Sequence, residues 1–261
     1  MLAVGEGSRQ KVLDRISSFG TNLMLIRPGA AGIRNAGDIA TLVPDDAAAI
    51  KALPNVETAL PERSTRITVR YGNLDYQTSA QGTGEDFPSA RDWPVAEGQF
   101  FNADDMKHYA AVVVLGRTVA KTLFPDGGSP IGKYVLIRSV PYVVIGVMSD
   151  KGASPNGSDQ DDVIFVPIST GLVRLFGKNY LSSITIKVKD SSDIEATQTR
   201  VEALLKNRHN TEDFSVRNMA KQPATFHLRF LQALSQVAVE KNETIIVPLP
   251  IDLLASIFKP H

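Results

Sequence analysis

The segment 110–148 constrains the fold of this chain more than any other part of it. It opens with the β-branched run Val112–Leu115, which is typical of a strand buried on both faces. Gly116 interrupts the run, and the apolar spacing of residues 118–124 then predicts a short helix. Two more strands are predicted after the Pro-Asp-Gly-Gly turn that ends this helix, at residues 134–137 and 142–145. The segment contains no nucleophile beside a base and no phosphate loop, so it indicates a scaffold.

Strand–helix–strand patterns occur on both sides of this segment. Before it, the sequence predicts a strand at 21–27, a helix at 47–53 and a hairpin at 66–80. After it, strands are predicted at 163–167, 181–189 and 214–216, and helices at 169–176 and 193–208. Residues 81–84, which include two glycines, are interpreted as a linker that leaves the hairpin.

This order of elements predicts an α+β fold. Two strand–helix–strand halves form one layer, and a small α/β domain is inserted between them. The boundaries that follow are a first half with its leading helix at 1–84, an insertion at 85–177, a second half at 178–219 and a helix–strand tail at 220–261.

Composition excludes several classes of function. The 28 basic and 28 acidic residues cancel, so no net field favours nucleic acid as a partner. The chain has no cysteine, which excludes disulfides, thiolate catalysis and cysteine-based metal sites. No run of about 20 apolar residues and no secretory signal are recognised, so no segment is expected to span a bilayer.

Four features that could carry chemistry have simpler structural interpretations. His108 follows two aspartates but has no second histidine at metal-binding spacing, which favours a surface position. Asp159, Asp161 and Asp162 form only part of a calcium loop, which favours a solvated loop. The segment 82–84 lacks the third glycine of a dinucleotide loop and is interpreted as a turn, and Trp93 as a half-buried packing residue. The sequence therefore predicts no enzyme and no cofactor or metal in this chain.

Ordered sequence blocks across residues 1–219 resemble the extracytoplasmic domain of ABC permeases of the macrolide-exporter, or MacB, type. They are GEGS at 5–8, GTN at 20–22, EGQFF at 97–101, VVVLG at 112–116, LFPDGG at 123–128, VPYVVIGVM at 140–148 and YLSSIT at 180–185. The resemblance implies a split Porter-like subdomain, made of the two strand–helix–strand halves, with an inserted Sabre-like subdomain.

The resemblance also implies a function. A domain of this type lies in the periplasm as part of an inner-membrane protein, which acts as a homodimer. It couples ATP hydrolysis by a separate cytoplasmic domain to export of drugs or polypeptides through a MacA-like adaptor and a TolC-like outer-membrane channel. Residues 1–4 would then be the end of a membrane helix that precedes the domain.

The first predicted helix, at residues 5–19, is the candidate mechanical stalk, because it would continue directly from the membrane. Its apolar stripe has helical spacing, and glycine follows at its end. The stalk residues are Gly5, Glu6, Val12, Leu13, Ile16 and Phe19.

Two other functions remain open from the sequence. A lipoprotein-releasing or FtsX-like permease domain would share the fold, although the blocks EGQFF, LFPDGG and YLSSITI favour the exporter.

The tail at 220–261 resembles the C-terminal region of stomatin-like (SPFH or slipin) proteins in LRFLQ, EKN and PLPID, which implies a fusion and an oligomeric scaffold. The alternative is a coincidental likeness of an ordinary helix and strand. The apolar residues of the tail predict self-association. They are Phe230, Leu234, Leu249, Ile251, Leu253 and Leu254.

Overall fold

The computed structural model describes residues 22–29, 39–154 and 157–219. Contacts within the chain divide it between Ala220 and Lys221, so the fold below is that of the first unit. The predicted stalk helix and the predicted tail lie outside the described residues.

The described part contains ten strands and six α-helices. The strands are β1 (Leu23–Pro28), β2 (Val56–Tyr71), β3 (Leu74–Thr83), β4 (Val95–Gly98), β5 (Val112–Leu115), β6 (Tyr134–Ile137), β7 (Val140–Met148), β8 (Val163–Pro167), β9 (Ser183–Val188) and β10 (Phe214–Asn218). The helices are α1 (Pro44–Lys51), α2 (Phe87–Ala90), α3 (Ala103–Lys107), α4 (Arg117–Leu123), α5 (Ile168–Gly171) and α6 (Ile194–His209). A π-helical turn, Leu172–Phe176, continues α5, and a 3₁₀ turn, Ser191–Asp193, precedes α6.

Four antiparallel strands in the order β10-β1-β9-β2 form the first layer. Its two halves are β1–α1–β2 and β9–α6–β10, and their strands interleave because β1 lies between β10 and β9. The helix α1 begins with Pro44 and two acidic residues, which suit a helix N-terminus. The helix α6 ends at His209 and is capped by Asn210, whose φ of 56° is left-handed.

The long strand β2 leaves this layer and enters a closed ring of strands. From Arg63 to Tyr71 it pairs with β3, and near its end Val69 and Arg70 pair with β6. The ring then closes through the pairs β3–β8, β8–β5, β5–β7 and β7–β6. A single 16-residue strand therefore belongs to both parts of the fold.

Strands β5 and β8 of the ring are buried on both faces, as the segment Val112–Leu115 predicts for β5. Val113 and Leu115 of β5 belong to the main core, which runs from the ring into the first layer. Val114 and Phe165 point to a second cluster that contains Phe87, Trp93 and Phe101. The aromatic cluster and the main core together give these strands no solvent-facing side.

The α+β fold class is confirmed, and most predicted elements are present within two or three residues of their predicted ends. Strand β8 has the predicted bounds, and Gly177 closes the helical segment after it with a φ of 62°. The prediction missed β4, α2 and α3. The domain boundaries at 84, 177 and 219 remain predictions.

The interpretation of residues 81–84 as a linker, and of 82–84 as a turn, is wrong. Strand β3 continues to Thr83 and pairs in parallel with β8, where Gly82 lies opposite Val166. Glycine is needed there for space, because a Cβ at Gly82 would lie 2.7 Å from the ring of Phe176. The glycine therefore marks a close approach inside a strand rather than a chain break.

No helix among the described residues is both long and apolar enough to cross a membrane. The longest of them, α6, has 16 residues.

Candidate functional site

The most connected polar residue of the described chain lies where β2 passes from the layer into the ring. Glu62 pairs with Ser183 of β9 in the layer, whereas the next residue, Arg63, pairs with Gly82 of β3 in the ring. Glu62 is only 6% exposed, so its carboxylate needs partners inside the protein.

Four side chains donate hydrogen bonds to the Glu62 carboxylate. The Arg91 guanidinium donates from Nη2 to Oε1 at 3.1 Å and to Oε2 at 3.3 Å. Thr185 Oγ1 donates to Oε2 at 2.7 Å, and Gln81 Nε2 donates to Oε1 at 3.1 Å. Ser183 Oγ adds a longer contact of 3.4 Å. One carboxylate thus connects β2 and β9 of the layer with β3 and the end of α2 on the ring side.

Two arginines lie at this junction, and one of them, Arg91, contacts the carboxylate. Besides Glu62, the Nη2 group of Arg91 donates to Thr185 Oγ1 at 2.9 Å. Arg63 donates from Nη1 to the carbonyl oxygen of Tyr180 at 2.8 Å and lies 4.4 Å above the Tyr180 ring. We call Glu62, Arg63, Gln81, Arg91 and Thr185 the junction cluster. Its bonds connect the layer to the ring, and charge-assisted bonds in a buried site are strong and directional.

The junction cluster has no arrangement suited to catalysis. Its cleft of about 170 Å³ is lined by Glu62, Arg63, Ser64, Gln81, Arg91, Ser182 and Ser183. The carboxylate is occupied by an arginine and does not face a serine together with a histidine, as a nucleophile–base pair requires. Among the described residues no three histidine, aspartate or glutamate side chains are grouped as metal ligands. The cluster can therefore hold two parts of the domain in register.

Two buried threonines in strands test the value of the junction bonds. The hydroxyl of Thr78 has no partner among the described residues, whereas that of Thr185 contacts both Glu62 and Arg91. Each threonine is 2% exposed, so Thr→Val is the same change in a matched setting. We expect Thr185→Val to lower the free energy of unfolding by about 2 kcal/mol. Thr78→Val should leave it unchanged or raise it, because the variant no longer buries an unpaired hydroxyl.

Chemical denaturation of both variants measures this difference. Equal losses of stability in the two would contradict the assignment of a structural role to the Thr185 bonds.

The aspartate loop is only partly as predicted. Asp161 is 2% exposed, so the prediction of a solvated position is wrong for this residue. Its carboxylate accepts the backbone N–H groups of Lys151 at 3.0 Å and Gly152 at 2.8 Å, and so closes the loop from inside. Burial raises the pKa of Asp161, and a hydrogen bond with Asp150 raises it further. Asp159 accepts a bond of 2.6 Å from Thr118 Oγ1 of α4.

His108 and Trp93 have the structural roles that the sequence predicts. His108 is exposed at the end of α3, where its Nδ1 lies 2.9 Å from the carbonyl oxygen of Asp104. Trp93 is buried in the aromatic cluster, and its Nε1 donates to the carbonyl oxygen of Ser149 at 2.7 Å. It is more deeply buried than expected, since the ring of Phe165 packs edge-on against it at 5.5 Å.

The predicted stalk and self-association residues lie outside the described residues, so both sets remain predictions. They are Gly5, Glu6, Val12, Leu13, Ile16 and Phe19 in the stalk, and Phe230, Leu234, Leu249, Ile251, Leu253 and Leu254 in the tail.

Comparison with known proteins identifies the family. The model of the MacB-like periplasmic core domain matches residues 1–204. The chain belongs to this family. Its membership confirms the expected localisation, which is a periplasmic domain of an inner-membrane protein.

Full-length relatives of this MacB-like domain are exporters by name. The macrolide export ATP-binding/permease protein MacB of Azoarcus sp. is 52% identical over 220 residues, which are 84% of this chain and 33% of that protein. MacB of Brucella abortus is 49% identical over 84% of this chain and 34% of that protein. The pyoverdine export protein PvdT of Pseudomonas fluorescens is 38% identical over the same share of this chain and 33% of that protein. The chain spans about a third of the length of these relatives.

Solved structures agree with the assignment to MacB-like domains. The periplasmic region of MacB from Actinobacillus actinomycetemcomitans matches with a TM-score of 0.71 and 28% identity, over 83% of this chain and 98% of that one. The extracellular domain of the transporter YknZ from Gram-positive bacteria matches with a TM-score of 0.63 over 75% of this chain and all of that one. Its identity is 20%, so this likeness shows the fold alone. None of these relatives supports the stomatin-like resemblance of residues 220–261.

Proposed function

We propose that this chain is the periplasmic part of a MacB-type exporter, in which it couples cytoplasmic ATP hydrolysis to export. The observation that carries the proposal is the 52% identity with a macrolide exporter over 84% of the chain. The ordered blocks that resemble this type of permease lie in the same part of the sequence. The proposed cargo is a drug or a polypeptide. Two relatives of the family are named for the export of macrolides and of pyoverdine.

The described geometry suits the transmission of movement. A displacement of the layer can pass to the ring directly along β2, which is continuous over 16 residues. The junction cluster braces this strand at the point where it changes partners, since Glu62 bonds to Thr185 on one side and Gln81 on the other. We infer that the two parts move together as a lever rather than as independent bodies.

The chemistry of the transporter is expected to lie elsewhere. We propose that this chain is not an enzyme and needs no cofactor, because the sequence has no GxxxxGK[ST] loop for ATP. Its proposed partners are a second copy of the transporter and a MacA-like periplasmic adaptor, which leads to a TolC-like outer-membrane channel. Nucleic acid is not an expected partner of a chain without net charge.

Binding to a purified MacA-like adaptor tests this proposal. The chain would be measured at high concentration with and without residues 221–261, beside the periplasmic region of the Azoarcus relative as a positive control. We expect both forms to bind as the relative does. If the relative binds and neither form does, the exporter proposal is wrong and a lipoprotein-releasing or FtsX-like role gains support. Binding that requires 221–261 would instead support a function carried by the tail.

A further inference from the structure

A second charged cluster lies on the helix side of the layer, apart from the junction cluster. Its centre is Asp46 in the first turn of α1, which is 1% exposed. Asp46 Oδ1 accepts a bond of 2.8 Å from Arg208 Nε, and Oδ2 accepts the backbone N–H of Val43 at 3.0 Å. His209 Nε2 is 3.1 Å from the same Oδ2 atom. The cluster thus joins α1 of the first half to α6 of the second.

His209 lies between two carboxylates. Its Nδ1 is 2.7 Å from Asp213 Oδ1, and its Nε2 faces Asp46. The imidazole side chain is 9% exposed, so little water replaces a lost partner. An ionised carboxylate only accepts hydrogen bonds, and only the protonated imidazole donates from both nitrogens. The geometry therefore requires the charged form of His209.

The charges of this cluster balance only with that proton present. Two carboxylates face one guanidinium and one imidazolium, so the four groups sum to zero. Loss of the proton leaves a net charge of −1 and directs a nitrogen lone pair at a carboxylate oxygen. Among the described residues, the charged groups around His209 are Asp46 from α1, Arg208 beside it on α6, and Asp213 before β10. Strand β10 itself adds the uncharged ring of Phe214, edge-on at 6.0 Å.

We propose that His209 is a proton-operated latch that holds α1 against the corner between α6 and β10. With the proton bound, the imidazolium connects Asp46 of the first half to Asp213 of the second. Without it, the neutral imidazole can donate to only one of the two carboxylates, so the bridge between Asp46 and Asp213 is broken. The stiffness of the layer's helical face then depends on the pH of the compartment around the domain. The proposal concerns this domain alone and does not rest on the proposed export function.

The pKa shifts have the sign that such a latch requires. Burial lowers the pKa of His209, but its hydrogen bonds to Asp213 and Asp46 outweigh burial and leave the pKa raised. Burial raises the pKa of Asp46, but its bonds from Val43, Arg208 and His209 leave it lowered.

These directions define a pH window. The contribution of His209 to the free energy of unfolding is complete below its pKa in the unfolded chain, about 6.5. It is lost as the pH rises through the higher pKa of the folded chain. The Asp46 contribution is complete above its unfolded pKa of about 3.9 and is lost as pH falls through the lower folded value. The latch is therefore strongest between about pH 4 and pH 6.5.

Unfolding of the whole chain at about pH 5.5 and about pH 8.5 tests the latch, since these values bracket the histidine range. The variants are His209→Gln and, as a control, His108→Gln, which changes an exposed histidine. We expect the wild type and the control to be less stable at the higher pH. Their folding equilibrium constant should fall about tenfold for each unit by which folding raises the pKa of His209. His209→Gln should lose less over the same interval. The same pH dependence in wild type and His209→Gln would overturn the proposal.

An NMR titration keeps the proposal falsifiable if His209→Gln does not fold. We expect His209 of the wild-type chain to titrate above the ordinary histidine value. In Asp213→Asn its pKa should fall toward that value, because one ionised acceptor is gone. A wild-type His209 that titrates at or below about 6.5 would overturn the latch. So would a pKa that Asp213→Asn leaves unchanged.

Discussion

Replacing Arg91 by methionine is expected to lower the free energy of unfolding by about 3 kcal/mol. The substitution keeps most of the side-chain volume but removes the only cation that contacts the Glu62 carboxylate among the described residues. The Glu62 side chain is 8% exposed, so water replaces the guanidinium only poorly. An unpaired buried charge is one of the few causes of so large an effect from a single substitution.

An exposed ion pair provides the matched control for this prediction. Arg117 and Glu97 are in contact at 2.8 Å, with 36% and 45% of their side chains exposed. Arg117→Met should cost less than about 1 kcal/mol, as surface pairs do. The double variant Glu62→Gln/Arg91→Met should recover part of the loss, because the side chain at position 62 is then uncharged. If chemical denaturation gives the same loss for Arg91→Met and Arg117→Met, the junction cluster does not hold the two parts of the domain together.

The second large effect is expected at the glycine that interrupts the Val112–Leu115 run. A Cβ at Gly116 would lie 2.2 Å from the carbonyl oxygen of Asp161 and 2.7 Å from that of Val163. Both are backbone atoms, so no side-chain rotation relieves the overlap. The N–H of Gly116 also donates to Val163 at 2.7 Å, and this bond would be strained. We expect Gly116→Ala to cost about 3 kcal/mol or more.

Gly128 is the control for this substitution. A Cβ at Gly128 has no neighbour within 4 Å among the described residues, and its φ is not in the left-handed region. Gly128→Ala should be neutral or slightly stabilising, since it restricts the unfolded chain. The denaturation midpoints of the two variants give the comparison. A Gly116→Ala variant as stable as Gly128→Ala would show that strands β5 and β8 do not approach as closely as described.

Local patterns were sufficient to predict most elements of this fold. The β-branched run Val112–Leu115 and strand Val163–Pro167 were recognised from composition alone, because both faces of each strand are buried. The hairpin of β2 and β3 was marked by period-two alternation and by Gly72 at its turn. The short elements β4, α2 and α3 were missed because four or five residues are too few to show a period.

Long-range contacts explain the wrong predictions. Nothing in the sequence around Gly82 separates a linker from a strand. Glycine is needed there because of the ring of Phe176, which is distant in the sequence. The burial of Asp161 also has no signal in the sequence. Its carboxylate accepts backbone N–H groups, and these do not depend on a particular sequence motif. Closure of the ring was also invisible, because it depends on pairs such as Val69 with Ile137.

The junction cluster could not be found from sequence for the same reason. Arg91 is 29 positions from Glu62, and Thr185 is 123 positions from it. No pattern of spacing relates such residues. Strand β2 contains several charged residues, so the charge of Glu62 does not distinguish it in the sequence. The family, by contrast, could be recognised, because its sequence blocks are ordered along the chain and require no knowledge of contacts.

The proposed function is tested most directly inside a full-length relative. Residues 1–220 of this chain would replace the matching segment of MacB from Azoarcus sp., and macrolide resistance would be measured in cells that lack their own exporter. We expect the chimera to confer resistance that requires the adaptor, and Arg91→Met in the chimera to reduce it. A chimera that is present in the membrane and hydrolyses ATP, yet confers no resistance where the parent does, would contradict the proposal that this chain is the periplasmic domain of a MacB-type exporter.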